Sequence, residues 1–331
     1  MRKGAAVLRF DRSFIVNADC VAGAKQYLAD GSVDLIVTDP PYGIEGDKLH
    51  RHYNRDERFV TGGYVEVPAG EYHAFTRAWI AQAERVLRPG GQIYVVSGYT
   101  RLFDVLAALR ATSLREINHI IWKYNFGVFT RRKFVSSHYH ILYWGKPGAP
   151  RTFRPEARHA FDEMAPGGGS LNYRDREDVW MINREYKPGR EKNKNELPIA
   201  LVKKMIAYSS LPGDLVCDFF VGGGSTAKAA AAMGRSFAGF EISEHIFKNR
   251  LAHLQLGRVD EDEAAPRPYT LRNFGKSWSP ADDEHLATRW RALRETGVPK
   301  TAIVRSLSGE FERGCWSIRK RLKHLEAPSS T

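Results

Sequence analysis

Three cysteines in 331 residues are too few, and too far apart, to hold a chain together covalently. Cys20, Cys217 and Cys315 have neither metal-ligand nor disulfide-framework spacing, which argues against a stapled secreted fold and leaves a reducing cytosol as the expected setting. Long hydrophobic runs are also missing: none approaches the roughly 18 residues of a membrane span, so no membrane association is expected. The basic opening MRKGAAVLRFDRSF lacks the continuous apolar stretch of a secretory signal, and none is expected there. Acids are in short supply relative to bases, 38 Asp and Glu against 50 Lys and Arg, for a formal charge of +12. That surplus favours a polyanionic partner, nucleic acid above all. What is present in quantity is apolar residues, 43% of the chain, enough for the core of one large or two ordinary domains.

Strand and helix patterns alternate along the chain. SFIVNAD reads as a strand ending at Asp19, VAGAKQYLADG as a helix, and VDLIVT as a short strand buried on both faces that runs into Asp39-Pro40-Pro41-Tyr42. A long polar loop spans 43–70, and loops of that length are usually functional. EYHAFTRAWIAQAERVL is a helix closed by Arg88-Pro89-Gly90-Gly91, QIYVVSG a strand, and Leu102 to Ala111 a helix. NHIIWKY and SSHYHILYWG suit an antiparallel pair. Periodicity fades between Phe126 and Asn195, where basic residues concentrate: 15 Lys and Arg against 8 Asp and Glu over 123–194. It returns as helix LPIALVKKMIAYSS, strand LPGDLVCDFF, turn VGGGST, helix AKAAAAMG, strand SFAGFEI and helix SEHIFKNRLAHLQ. This is βαβ grammar, and the expected fold is α/β, a doubly wound, mostly parallel sheet.

Two motifs carry chemistry. The glycines after LPGDLVCDFF let backbone approach a ligand at a helix N-terminus, and Gly222-x-Gly224-x-x-Ala227 satisfies a loose dinucleotide fingerprint. Glu241 ends the next strand, where a carboxylate takes ribose hydroxyls, so a nucleoside-containing ligand is expected. The second motif is Asp39-Pro40-Pro41-Tyr42. An exocyclic base amine is a poor nucleophile because its lone pair is delocalised into the ring. A carboxylate (Asp39) and a carbonyl (Pro40) accepting its two N–H groups would draw the nitrogen toward tetrahedral geometry. Pro40 and Pro41 stiffen the turn and remove donors, and Tyr42 offers a face on which an extruded base can stack.

DPPY ahead of strand–DFFVGGGST–helix resembles the amino-group DNA methyltransferases that use S-adenosylmethionine, in the permuted motif order of their β class. The resemblance covers about residues 13–256. It implies a Rossmann-like methyltransferase fold and a catalytic set of Asp39, Pro40, Pro41 and Tyr42. It further implies Asp19 on the cofactor's adenine, Asp218, Phe220, Gly222, Gly224, Ser225 and Thr226 in the glycine motif, Glu241 on the ribose, and Pro198 in the segment closing over the methionine end. LRPGG and HIIWKYNFG fit later motifs of the family. Departures are Asp218-Phe219-Phe220 for the common D-P-F, Leu197-Pro198 for K-P, and His138-Tyr139 for a frequent His-Glu pair. DPPY in this family usually accompanies adenine N6 transfer. Cytosine N4, which needs the same two acceptors, stays open, as does a catalytically idle DNA-binding regulator on the same fold. A nicotinamide dehydrogenase would leave DPPY unexplained. No metal site is expected.

The basic segment 126–195 falls where that family carries its target recognition region, with Arg131, Arg132, Lys133, Arg174 and Arg176 as candidate DNA contacts. The catalytic domain is expected over 1–257, a linker over 258–275, and a small all-α unit over 276–325. There Ser279 caps a helix with Pro280 at its first position and acids in the first turn. In CWSIRKRLKHL, Trp316, Ile318, Leu322 and Leu325 are expected inward, with Arg319, Lys320, Arg321 and Lys323 outward. The pattern resembles a Myb/SANT-type helix-turn-helix, whose third helix enters the major groove; an interaction or dimerisation bundle is the alternative. The implied substrate is double-stranded DNA, the setting cytoplasmic and nucleoid-associated, with a homodimer and a cognate restriction endonuclease as admissible partners.

Overall fold

The computed structural model describes residues 5–42, 67–124, 131–155, 157, 175–184, 196–254, 256, 273, 277–298, 300–313 and 315–326. The chain divides into two compact units, 1–154 with 178–263, and 155–177 with 264–331.

The first unit is built on a nine-stranded sheet: β1 (Val7–Phe10), β2 (Ser13–Val16), β3 (Val33–Thr38), β4 (Leu87–Ser97), β5 (Arg115–Lys123), β6 (His138–Gly145), β7 (Val179–Met181), β8 (Leu215–Asp218) and β9 (Ser236–Phe240). Their order is β1-β2-β9-β8-β3-β4-β6-β5-β7. Neighbours from β2 to β4 are parallel, and the β5/β6 pair is antiparallel as expected. Helices α1 (Cys20–Tyr27), α2 (Tyr72–Val86) and α3 (Leu102–Arg110) cover one face. Their apolar stripes, including Ala24, Trp79, Ala83 and Leu109, form one core with Ile36, Val95, Trp144 and Phe240 of the sheet. Alternate strand residues point the other way: Tyr94 and Tyr143 stack at 4.1 Å and meet Ser209 at the end of α4 (Ile199–Ser209). Helices α5 (Ser225–Ala232) and α6 (Glu244–Asn249) follow β8 and β9.

Several readings change in detail. The run before Asp19 is not strand throughout: β2 stops at Val16, and Asp19 caps α1. Arg88-Pro89-Gly90-Gly91 does follow the end of α2, but the next strand, β4, already begins at Leu87 rather than at Gln92. A Cβ on Gly90 would sit 2.5 Å from Pro150 O, so the glycine there serves close backbone approach. The final helix of the βαβ series breaks at Arg250 into α6 and a single 3₁₀ turn. Loop positions 43–66, Arg174 and most of the 258–275 linker lie outside the described residues.

In the second unit, α7 (Pro280–Glu295), α8 (Lys300–Glu310) and α9 (Cys315–Glu326) enclose Leu286, Ile303, Leu307, Ile318 and Leu322. Ser279 and Asp282 form a reciprocal capping box at the start of α7. Two expectations for α9 are corrected. Leu325 is 37% exposed rather than inward. Arg321 does not point freely outward but pairs with Asp283. The Trp316 side chain lies outside the described residues. Among the described residues no helix is long and apolar enough to cross a membrane.

Candidate active site

In an open parallel sheet, ligands bind outside the carboxyl ends of the strands where the chain's direction of winding reverses. Here that point lies between β3 and β8, and the cleft there measures about 680 Å³ including its solvent-open part. Asp39 and Pro41 line it from the end of β3, Phe220 and Gly222 from the end of β8, and Glu241 from the end of β9. Asp19 completes it after β2, while Phe75, Ile242 and Ile246 add apolar wall. The sequence-based readings of Asp19, Asp39, Pro41, Phe220, Gly222 and Glu241 thus meet at one place.

Asp39 is half-buried, and Tyr42 Oη donates to its Oδ1 at 2.6 Å. Burial pushes its carboxyl from the ordinary 3.8 up to about 7; the Tyr42 bond opposes this, nearby Asp218 adds to it, and Arg184 opposes it. The proline turn is anchored from α2, where Tyr72 Oη donates to Pro41 O at 2.7 Å. Pro40 is buried and does not line the cleft. One face of the Tyr42 ring is stacked on Tyr139 at 5.4 Å. Tyr139 in turn belongs to a cluster with Trp122 and Tyr124, beneath the Arg184 guanidinium at 4.9 to 5.8 Å.

Glu241 is held with both oxygens occupied: Gly222 N–H donates to Oε2 at 2.9 Å and Ser243 N–H to Oε1 at 2.8 Å. Burial raises its pKa against those two bonds. Gly222 has φ +49°, a backbone most residues avoid. Asp19 is exposed, with Oδ1 accepting from the Val21 and Ala22 amides at 3.0 Å.

The remaining glycine-motif residues hold the cleft without lining it. Asp218 accepts from Thr38 Oγ1 at 2.8 Å, Thr226 Oγ1 at 2.7 Å and Phe220 N–H at 2.9 Å, so it ties β3 to the glycine turn; burial raises its pKa. Gly224 (φ +81°) caps α5 against Leu251 and Leu254. Ser225 Oγ donates to Glu196 Oε1 at 3.1 Å, and Pro198 caps α4. Arg131, Arg132 and Lys133 are exposed ahead of β6, and Arg176, in the second unit, is exposed too. Arg319 and Lys320 are exposed on α9. Among the described residues no cluster of His, Cys, Asp and Glu could hold a metal.

Thr38, Tyr72, Arg184 and Glu196 escaped the sequence reading as site residues, and Tyr139 entered it only beside His138 as a departure from the family pattern. Glu196 lies across the glycine turn, reached by Arg250 Nη2 at 3.3 Å, and a Cβ on Gly223 would come within 2.7 Å of its carboxylate. Only Thr38, a hydroxyl directly before DPPY, left a local signal.

The family profile for DNA methylases matches residues 33–252. Among curated relatives, the type II methyltransferase M.BamHI of Bacillus amyloliquefaciens is 27% identical over 285 residues, 80% of this chain and 64% of that protein. M.BglII of Bacillus subtilis is 26% identical over 272 residues, 75% and 70% respectively. The chain thus spans just under two thirds of the length of M.BamHI. In fold it is similar to the M1.HpyAVI–SAM complex, with a TM-score of 0.51 and 21% identity over 73% of this chain and 98% of that one. It is likewise similar to the cytosine-N4-specific PvuII DNA methyltransferase, with a TM-score of 0.54 and 14% identity over 76% and 89%.

Proposed function

Since the chain belongs to the DNA methylase family, we propose that it transfers a methyl group from S-adenosylmethionine to the exocyclic amine of an extruded DNA base, adenine N6 in preference to cytosine N4. The single observation carrying this reading is the cleft with Asp39 and Pro41 on one side and Asp19, Gly222 and Glu241 on the other. The donor set suits the cofactor. Glu241, fixed by two amides, takes the ribose hydroxyls; Asp19 takes the adenine amine; Phe220 and Ile246 flank the apolar surface of the nucleoside. Bound there, the cofactor supplies an electrophilic methyl group.

The chain's own residues then act on the amine. With Oδ1 engaged by Tyr42, Asp39 offers Oδ2 to one N–H, and the Pro40 carbonyl takes the other. Tyr72 holds the turn still through Pro41 O, so the acceptors are preorganised. A carboxyl near pH 7 suits a group that must accept a hydrogen bond and then hold the proton the amine gives up. Double-stranded DNA is the substrate. The C-terminal three-helix unit is assigned a DNA-binding role, with Arg319 and Lys320 on α9 toward phosphate or base edges. A homodimer and a paired restriction endonuclease are compatible with this reading.

The test is transfer of labelled methyl groups into duplex DNA, followed by digestion to nucleosides. N6-methyladenine in the product, lost in Asp39→Ala with DNA binding kept, is the expected result. N4-methylcytosine would correct the base, and absence of label in DNA would refute the reading.

A further inference from the structure

The sheet edge that carries Asp39 also carries an almost fully exposed aromatic side chain. β4 leaves the sheet at Ser97, opposite His140 of antiparallel β6, and β5 ends at Lys123 opposite His138. β5 therefore ends, and β6 begins, at the same edge as the turn after β3. The base of the connection between them is closed by Tyr124 N–H donating to Ser137 O at 3.0 Å. Tyr124 and Tyr139, flanking that base, have ring centroids 5.6 Å apart, and Tyr139 is the residue stacked on Tyr42. From this anchored base project Arg131, Arg132 and Lys133, all exposed, and then Phe134, which is 99% exposed. The next segment along the edge also exposes aromatic side chains, Tyr99 at 84% in the turn after β4 and Phe103 at 79% in the first turn of α3. It begins at Gly98, where a Cβ would lie 3.8 Å from the Tyr42 ring.

A phenylalanine held in water is unfavourable until something apolar covers it. Three consecutive cations immediately before it select a polyanion as the cover, and stacked bases behind phosphates supply both features. Extruding a nucleotide leaves a gap in the stack, and filling that gap offsets part of the unstacking cost. Resting on the DNA reading above, we propose that Phe134 enters the duplex beside the extruded nucleotide and stacks in the space it vacates, with Arg131, Arg132 and Lys133 on the flanking phosphates.

The experiment compares the wild-type chain with Phe134→Ala and Phe134→Trp on duplexes containing the site that methylation sequencing identifies. One duplex is matched and carries 2-aminopurine at the target, and another has the target mispaired. Phe134→Ala is expected to lose the 2-aminopurine signal and at least about tenfold in affinity for the matched duplex, in keeping with the worth of one base–aromatic stack. On the mispaired target, where the extrusion cost is already met, most of the loss should vanish. Phe134→Trp should restore both, and S-adenosylhomocysteine binding by calorimetry should be the same in all three. Equal flipping by Phe134→Ala and wild type would overturn the proposal, as would equal losses on both duplexes. So would dissociation of a dimer with DNA parameters unchanged, which would make Phe134 a contact between copies. A wild-type chain that methylates no DNA would instead refute the function proposed above.

Discussion

Replacing Asp39 by Asn separates what this carboxylate costs the fold from what it does in the reaction. Its pKa is raised in the folded chain, from an ordinary 3.8 to about 7, chiefly by desolvation. Between pH 4 and pH 7 the folded form therefore binds a proton that the unfolded chain has released. Stability contributed by the protonated carboxyl is fully present below about pH 4 and is lost as pH rises through about 7. At ~1.36 kcal/mol per pH unit across that window, the ionised carboxylate costs up to about 4 kcal/mol at pH 8. Asn keeps the shape and can still accept from Tyr42 Oη while carrying no charge. Asp39→Asn should thus be more stable than wild type at pH 8, by a margin that shrinks to nothing near pH 4, while methyl transfer is abolished. Urea unfolding across pH 4–8 measures the first effect and label transfer the second. In wild type the acid limb of kcat/KM should fall near pH 7. Tyr42→Phe, which removes a hydrogen bond to the ionised form, should move that limb upward by about one unit. A stability difference independent of pH, or an acid limb near pH 4 that ignores Tyr42, would refute the reasoning.

Glu241→Ala leaves the Gly222 and Ser243 amides without their charged acceptor and removes the proposed ribose contact. S-Adenosylhomocysteine affinity by calorimetry should drop by about 10–100-fold, as expected for hydrogen bonds to a charged group; an unchanged value would remove Glu241 from the site. Gly223→Ala places a methyl 2.7 Å from the Glu196 carboxylate and should cost about 1–3 kcal/mol in urea unfolding. A neutral outcome would mean that Glu196 swings clear of the glycine turn at no cost. Ser279→Ala removes half of the capping box on α7 and should cost about 1 kcal/mol, read as faster amide exchange at its first turn. Exchange as slow as in wild type would show that the cap contributes nothing.

Elements whose sequence is locally self-consistent were readable in advance. VDLIVT became β3 residue for residue because a strand buried on both faces needs an uninterrupted apolar run. The β5/β6 pair and the glycine turn were legible for similar local reasons. β1 and β7 were not, since four and three residues at sheet edges leave no periodicity to detect. The Gly90-Gly91 pair reads as a stop signal, yet in the fold Gly90 gives room to the chain at Pro150, a demand made by residues about sixty positions away. The site divides the same way. Asp39, Gly222 and Glu241 sit at strand ends where chemistry is expected, whereas the parts that position them reach the cleft by tertiary contact alone. Tyr72 arrives on α2, and Glu196 is brought over Gly223 by Ser225 and Arg250. Arg321 shows the converse: a basic residue on an apparently outward face, drawn into a pair with Asp283 of α7 that the pattern within its own helix does not show.

The most direct measurement is a crystal structure of the chain soaked with S-adenosylhomocysteine. The sulfur should face the Asp39-Pro40 acceptors, with the ribose on Glu241 and the adenine beside Asp19. Density for the ligand elsewhere, or turned so that its sulfur points away from Asp39, would contradict the claim that this carboxylate and its neighbouring carbonyl present a base amine to the methyl donor.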